Sequence, residues 1–294
     1  MQEVAEKVFV GTAYAGVNVG AILTRKGFIC IDAPSYPRDA RDWISRLHQI
    51  DPRPIYFVIL TNAHGDRLLN LRWLNARIIA HQHTATRLAS YDKRYPQAML
   101  DSLILRRPES SRDLSNGPVE RADISFDKVL CLTSHGVDLE LRHMPGPDPG
   151  NICVQLPGKS VAFCGDALIG GLHPLLARAD LNAWLETLAR LQQPPYDDMT
   201  LIPGRGAKAT QTQEDIELLK AFLYDVQEEI QSLHQAQRPR GDVSSLVVKF
   251  LPRFQVNLLP REWVQAQLRA GLEHVYDALK DTAGLKTEPV AIQE

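Results

Sequence analysis

The chain has 294 residues, 33 basic and 35 acidic side chains, a formal net charge of -2, and is 44% apolar. That length allows one large domain or two modest ones and buries about 75% of the unfolded surface, and the apolar fraction excludes disorder as the main state. Near-neutral charge excludes the global field that draws nucleic acid or anionic lipid, and no run of about 18 apolar residues is present to span a bilayer.

The N-terminal stretch carries Glu3 and Glu6 and no apolar segment, which argues against a secretory signal and for a cytoplasmic location. Strands are predicted over residues 7–12, 17–24 and 28–32, with Lys26 and Gly27 turning between the last two. A helix follows Pro37, its apolar residues Ala40, Trp43, Ile44 and Leu47 falling at helical spacing. The run IYFVIL, residues 55–60, reads as a strand covered on both faces. A polar loop over residues 61–66, a short helical stretch to about Asn75 and a strand over 77–80 come next.

Residues 91–120 read as an irregular surface excursion, from Tyr95-Pro96, Glu109-Ser110-Ser111 and Asn116-Gly117-Pro118. Strand signals resume over 128–132, 137–144, 151–156 and 160–164, followed by a helix over 181–191, a strand over 199–202 and a turn at Gly204-Arg205-Gly206. Gly170 and Gly171 read as another turn. The C-terminal third is helical. Thr210 and Gln213 are placed to form a capping box, and Ile216, Leu219, Phe222, Leu223, Val226, Ile230 and Leu233 form one apolar stripe. That stripe is read as packing on the core, with a homodimer surface as the alternative. A second helix is expected from Arg261 to about Asp281, and the apolar, proline-punctuated segment 250–260 reads either as an arm or lid over the site opening or as buried packing. Cys30, Cys131, Cys153 and Cys164 all lie in or beside apolar runs, with no C-x-x-C pair, and read as free core thiols.

Three polar loops each follow an apolar strand. They are TNAHGDR (61–67), PGPDPG (145–150) with CGD (164–166) close after it, and PGRG (203–206). Strand-end loops are where α/β folds gather function. In these motifs, taken in order, the chain resembles the metallo-β-lactamase superfamily over roughly residues 8–206. The hairpin VNVGAILTRKGFICIDAP leads to a buried strand and to TNAHGDR, which matches the family's T-H-x-H-x-D-H. PGPDPG matches P-G-H-T-P-G, CGD matches T-G-D, and PGRG matches the late P-G-H-G. The resemblance implies an α+β fold, a metallo-β-lactamase-like αββα sandwich, with residues 1–209 as that domain and 210–294 as a helical C-terminal extension packed on it. Most relatives use one or two metal ions to activate water for hydrolysis.

The ligand positions are mostly replaced. The family's first metal takes three histidines, at positions that are Asn62, His64 and Pro147 here. The second takes an aspartate and two histidines, matched by Asp66, Arg67 and Arg205, and the bridging aspartate is Asp166. Proline and guanidinium cannot coordinate, and a catalytic zinc needs three protein ligands and an open position. No cofactor is therefore expected. The alternative is one zinc or other divalent ion on His64, Asp66 and Asp166, with Asp148, His135 or His173 recruited. Without metals, Asp66 and Asp166 would be buried and unpaired, so Arg67 and Arg205 are expected to pair with them.

This set of residues (Asn62, His64, Asp66, Arg67, Pro147, Asp148, Asp166 and Arg205) is the expected pocket of a pseudoenzyme, with no catalytic residue assigned. The function implied is non-hydrolytic ligand binding, regulation or scaffolding. The alternative is a metal-dependent hydrolase acting on an ester, lactone or thioester, or a metal-free one with His64 as base. Guanidiniums not used by the aspartates would suit a small anionic ligand, and neither nucleic acid nor membrane is expected as a partner. His81, His83 and His143 read as capping or structural histidines.

Overall fold

The structure, a computed structural model, describes residues 1–110, 112–114, 117–254 and 259–285. It opens with four antiparallel strands, β1 (Gln2–Ala5), β2 (Val8–Gly11), β3 (Val19–Thr24) and β4 (Gly27–Ile31). Helix α1 (Pro37–Ile50) starts on a proline, whose missing N–H costs nothing in a first turn, and buries Ala40, Trp43 and Leu47. Strand β5 (Ile55–Leu60) runs parallel to β4 and leads into the short helix α2 (Gly65–Leu68). Strand β6 (Arg77–His81), helices α3 (Gln82–Ser90) and α4 (Gln97–Arg106), and strand β7 (Ile124–Phe126) complete a seven-stranded sheet in the order β1 to β7.

The second sheet begins with β8 (Val129–Ser134), β9 (Val137–His143), β10 (Ile152–Leu156) and β11 (Val161–Phe163), each antiparallel to the one before. After β12 (Ile169–Gly170) and α5 (Leu181–Leu191), strand β13 (Thr200–Ile202) pairs parallel with β11, and β14 (Arg205–Gly206) pairs parallel with β12. Helices α6 (Gln213–Gln235), α7 (Val243–Phe250) and α8 (Arg261–Leu285) follow.

Three apolar cores separate four layers. Trp43, Leu47, Phe28 and Cys30 lie between the first sheet and its helices. Ile29, Ile59, Ile152 and Val154 lie between the sheets. Trp184, Leu188, Phe222, Phe250 and Leu272 join the second sheet to α5–α8. This is an αββα sandwich, and the apolar stripe of α6 faces its core, with Ile216 through Ile230 buried and Leu233 partly so.

Several expectations are corrected. Residues 91–120 contain α4, missed because only Leu100 and Leu103 mark its buried face before Arg106; Ser111 and Asn116 lie outside the described residues, as do 255–258 of the expected arm. Strands β1 and β7 have no counterpart among the expected elements. Gly170 and Arg205–Gly206, expected in turns, form the β12–β14 pair. The capping box of α6 is built by Thr212 and Asp215, two residues beyond Thr210 and Gln213. Cys131 is exposed on β8, whereas Cys30, Cys153 and Cys164 are buried free thiols. No helix among the described residues is long and apolar enough to cross a membrane.

Candidate functional site

Strand ends from both sheets converge at one edge of the sandwich. Asp32 directly follows β4, Asp66 and Arg67 lie in α2 after β5, Asp166 sits in the turn after β11, and Arg205 follows β13. Arg106, the last residue of α4, reaches the same point. Gly165 has φ +56, and a Cβ there would strike Asn151 and Thr61, so the turn that aims Asp166 needs a glycine.

The charged groups form one network. Arg67, fully buried, donates from Nε to Asp32 Oδ2 (2.8 Å), from Nη1 to Asp166 Oδ2 (3.0 Å) and Asp66 Oδ1 (3.4 Å), and from Nη2 to Asp166 Oδ1 and the Gly204 carbonyl (3.0 Å). Arg205 clasps Asp166 with Nε on Oδ1 (2.9 Å) and Nη2 on Oδ2 (2.7 Å), a bidentate pair. Its Nη1 donates to Asp66 Oδ2 (2.7 Å) and the Gly16 carbonyl (2.8 Å). Arg106 Nη1 donates to Asp66 Oδ2 (3.1 Å). His64 Nδ1 lies 2.6 Å from Asp166 Oδ2, and the Asp166 N–H donates to Asn151 Oδ1 (3.1 Å). Three carboxylates thus face three guanidiniums, and the cluster is neutral without any ion.

The fields are strong because the charged groups are buried. Burial pushes the Asp66 carboxyl up, but the charges of Arg205, Arg67 and Arg106 outweigh it and hold it below the ordinary carboxylate range. Asp166 is held well below that range in the same way, burial being overcome by Arg205, Arg67 and its His64 hydrogen bond. Burial pushes Asp32 up against Arg67 and Thr61. Its contacts, from the Thr61 N–H (2.8 Å), the Thr61 hydroxyl (2.6 Å) and Arg67, are all donors and suit the ionised form.

A metal does not fit this donor set. Guanidinium hydrogens already occupy the carboxylate lone pairs that a cation would need, and guanidiniums stand where ligands would. One arginine charge about 4 Å from a divalent ion opposes it by roughly 8 kcal/mol at an effective dielectric of 20. Among the described residues, no three His, Cys, Asp or Glu side chains converge in a group able to hold a metal ion.

The remaining expected residues are placed as follows. Asn62 is buried; its Oδ1 accepts the His64 N–H (3.0 Å) and its Nδ2 donates to Asn151 (3.4 Å). Pro147 is buried and offers no ligand atom. Asp148 accepts from Gly150 N (2.8 Å) and Arg178 Nε (2.6 Å), outside the cluster. Burial raises it, but the nearby His64 and the Arg178 guanidinium prevail and lower it. His135 sits in the β8–β9 turn beside Tyr56, and His173 donates to Leu251 O among Phe222 and Phe254, so neither joins the site. His81 caps α3, its Nδ1 accepting from the His83 N–H (3.2 Å), and stacks on His143 at 3.8 Å. Asp32 and Arg106 are not among the expected residues. Asp32 carries one signal, an acid ending an apolar strand, and Arg106 carries none.

A family model described as the metallo-beta-lactamase superfamily matches residues 15–205. The chain belongs to that superfamily. It is 35% identical over 81 residues to hydroxyacylglutathione hydrolase GloC of Haemophilus influenzae, a match covering 27% of this chain and 38% of that one. The chain thus spans well under half of that curated relative. Among solved structures, a metallo-beta-lactamase family protein from Thermus thermophilus aligns with a TM-score of 0.66 at 19% identity, covering 94% of this chain and 95% of the other. The stereoselective inverting sec-alkylsulfatase Pisa1 from Pseudomonas sp. aligns at 0.65 and 17%, covering 98% of this chain and 52% of the other. Such identities establish a shared sandwich and nothing finer.

Proposed function

We propose that this superfamily member is a non-hydrolytic pseudoenzyme, a binding or scaffold protein in which guanidiniums replace metal ions as the ties between active-site loops. One observation carries the reading: both surviving acidic ligand residues, Asp66 and Asp166, are engaged by arginines exposed by no more than 4%. A hydrolytic metal centre needs those oxygens and an open coordination position. On this reading the N–H groups of Arg67 and Arg205 are committed to carboxylates and carbonyls, which argues against an anionic guest held by them.

A second reading rests on His64. Asp166 holds its Nδ1, and its side chain is 12% exposed, an arrangement that orients a general base. On that reading the chain is a hydrolase, as GloC is named, working on an ester or thioester.

Two assays on one preparation separate the readings. Protein loaded with zinc and desalted is measured for metal by plasma mass spectrometry, and the same sample is screened against esters, lactones and thioesters. Metal far below one ion per chain and no turnover above the His64→Ala background is the expected result. About one tight ion lost with His64→Ala overturns the metal-free reading, and turnover abolished by that substitution overturns the non-hydrolytic one.

A further inference from the structure

The two sheets end in four edge strands: β1 and β7 in the first, β13 and β8 in the second. Three are blunted. β1 has four residues, carries Glu3 and breaks register between Glu3 and Ala5, while β7 and β13 have three residues each. β8 is different. Its six residues, VLCLTS, pair with β9 in unbroken register and contain no proline and no charge. Regular, uncharged edges of this length template the addition of another strand, and natural sheets normally protect them.

The hairpin determines which backbone groups point outward. Lys128 O accepts the His143 N–H, so the even-numbered residues of this strand turn their N–H and C=O toward β9. Val129, Cys131 and Thr133 then turn theirs away from it, toward the open edge. The same three side chains are exposed on the outer face, Val129 by 41%.

We propose that β8 pairs antiparallel with β8 of a second copy of this chain, about a two-fold axis at Cys131, to make one continuous sheet. An alternating row of donors and acceptors is complementary to its own copy when the two run antiparallel, the isologous contact of a two-fold dimer. The axis at Cys131 is the register that uses all three outward residues: Val129 faces the copy's Thr133, and Cys131 faces Cys131. Charge agrees with that register. No like charges come opposite each other, and Asp127, just before the strand, comes opposite the copy's His135 in the hairpin turn, an acid beside an imidazole. This contact is separate from the C-terminal helices, whose apolar stripe is spent on the core.

The test uses the full chain. Sedimentation over a wide concentration range should show a dimer, and Cys131→Ser should leave it intact. Cys131→Lys should shift the dissociation constant by ~10-fold or more toward monomer, because two ammonium groups meet at the axis, while circular dichroism stays unchanged. A short bismaleimide should cross-link the wild type and not Cys131→Ser, since the other three cysteines are buried. Should Cys131→Lys fail to fold, Val129→Lys combined with Thr133→Lys repeats the test two residues from the axis. A monomeric wild type overturns the proposal. So does a dimer that survives the lysine substitutions, or one that resists cross-linking at Cys131.

Discussion

Arg205→Ala is the sharpest test of the buried network. The side chain makes a bidentate pair with Asp166, a 2.7 Å bond to Asp66 and a 2.8 Å bond to the Gly16 carbonyl, all at 2% exposure. Its removal leaves Asp32, Asp66 and Asp166 facing Arg67 and Arg106 alone, one net negative charge in a buried site. Breaking one side of a buried pair costs about 3–5 kcal/mol, mostly through the charge left uncompensated. In a chain of this size each kcal/mol moves the melting temperature by about 2–4 °C, so the variant should melt about 10 °C below wild type.

A cycle with Asp66→Asn separates charge from packing. In the wild type, Asp66→Asn leaves an excess cation and should destabilise. In the Arg205→Ala background it restores neutrality, so the double variant should be more stable than the sum of the singles by about 1–3 kcal/mol. The readout is differential scanning calorimetry at neutral pH. A melting temperature within about 2 °C of wild type for Arg205→Ala refutes the account, and so does additivity in the cycle.

Acid should act on the same cluster. Asp66 and Asp166 are held below their unfolded value of about 3.9, so their contribution is complete above about pH 4 and is lost as pH falls further; a denaturation midpoint near neutrality would contradict this. His81 works in a higher window. Burial and the charge of His143 lower it to about 4, so the unfolded chain binds the extra proton and stability should decline as pH falls from about 6.5 toward 4. His81→Asn should flatten that slope in urea titrations, and an unchanged slope would place its origin elsewhere. Gly204→Ala should cost about 2 kcal/mol, because a Cβ there meets the Gly165 backbone and Arg67 Nη2; a neutral urea midpoint would show that the loops yield. Asn62→His, Arg67→His, Pro147→His and Arg205→His together recreate the superfamily's histidine set, and the variant should fold more stably with zinc than without it, by thermal shift.

Much of the frame was legible because it follows local rules. IYFVIL is a strand of the expected bounds, and α1 begins at the proline that suits a first turn. The polar loops at strand ends were visible as motifs; the pairing of Arg67 and Arg205 with Asp66 and Asp166 followed only from charge balance, because nothing local says which way a guanidinium points. Arg106 was not, because its helix shows only two buried leucines and its partner Asp66 lies forty residues away. Asp32 read as the end of an apolar strand, since nothing local reveals that Thr61 and Arg67 surround it. The exposure of Cys131 was equally hidden, because an apolar run on an edge strand has the same composition as one in the middle of a sheet.

Stability alone does not explain a network of this kind, since well-packed apolar residues often match or exceed a buried ion pair. Its particular property is reach. Arg67 joins Asp32 at the end of β4 to Asp166 after β11, and so ties the first sheet to the second. Arg205 joins the end of β13 to Asp66 after β5 and to the Gly16 carbonyl between β2 and β3. A bridging metal ion would draw the same loops together through the same two aspartates. A planar guanidinium does so with fixed directions and no exchangeable ligand position. The guanidiniums thus hold the strand ends of the two sheets together. Arg205→Lys isolates this property: it keeps the charge but loses the bidentate fork, so the loops should loosen with little change in the acid midpoint. Amide hydrogen exchange at Gly16, Asp66 and Asp166 would report it, and protection equal to wild type would show that charge alone holds the loops.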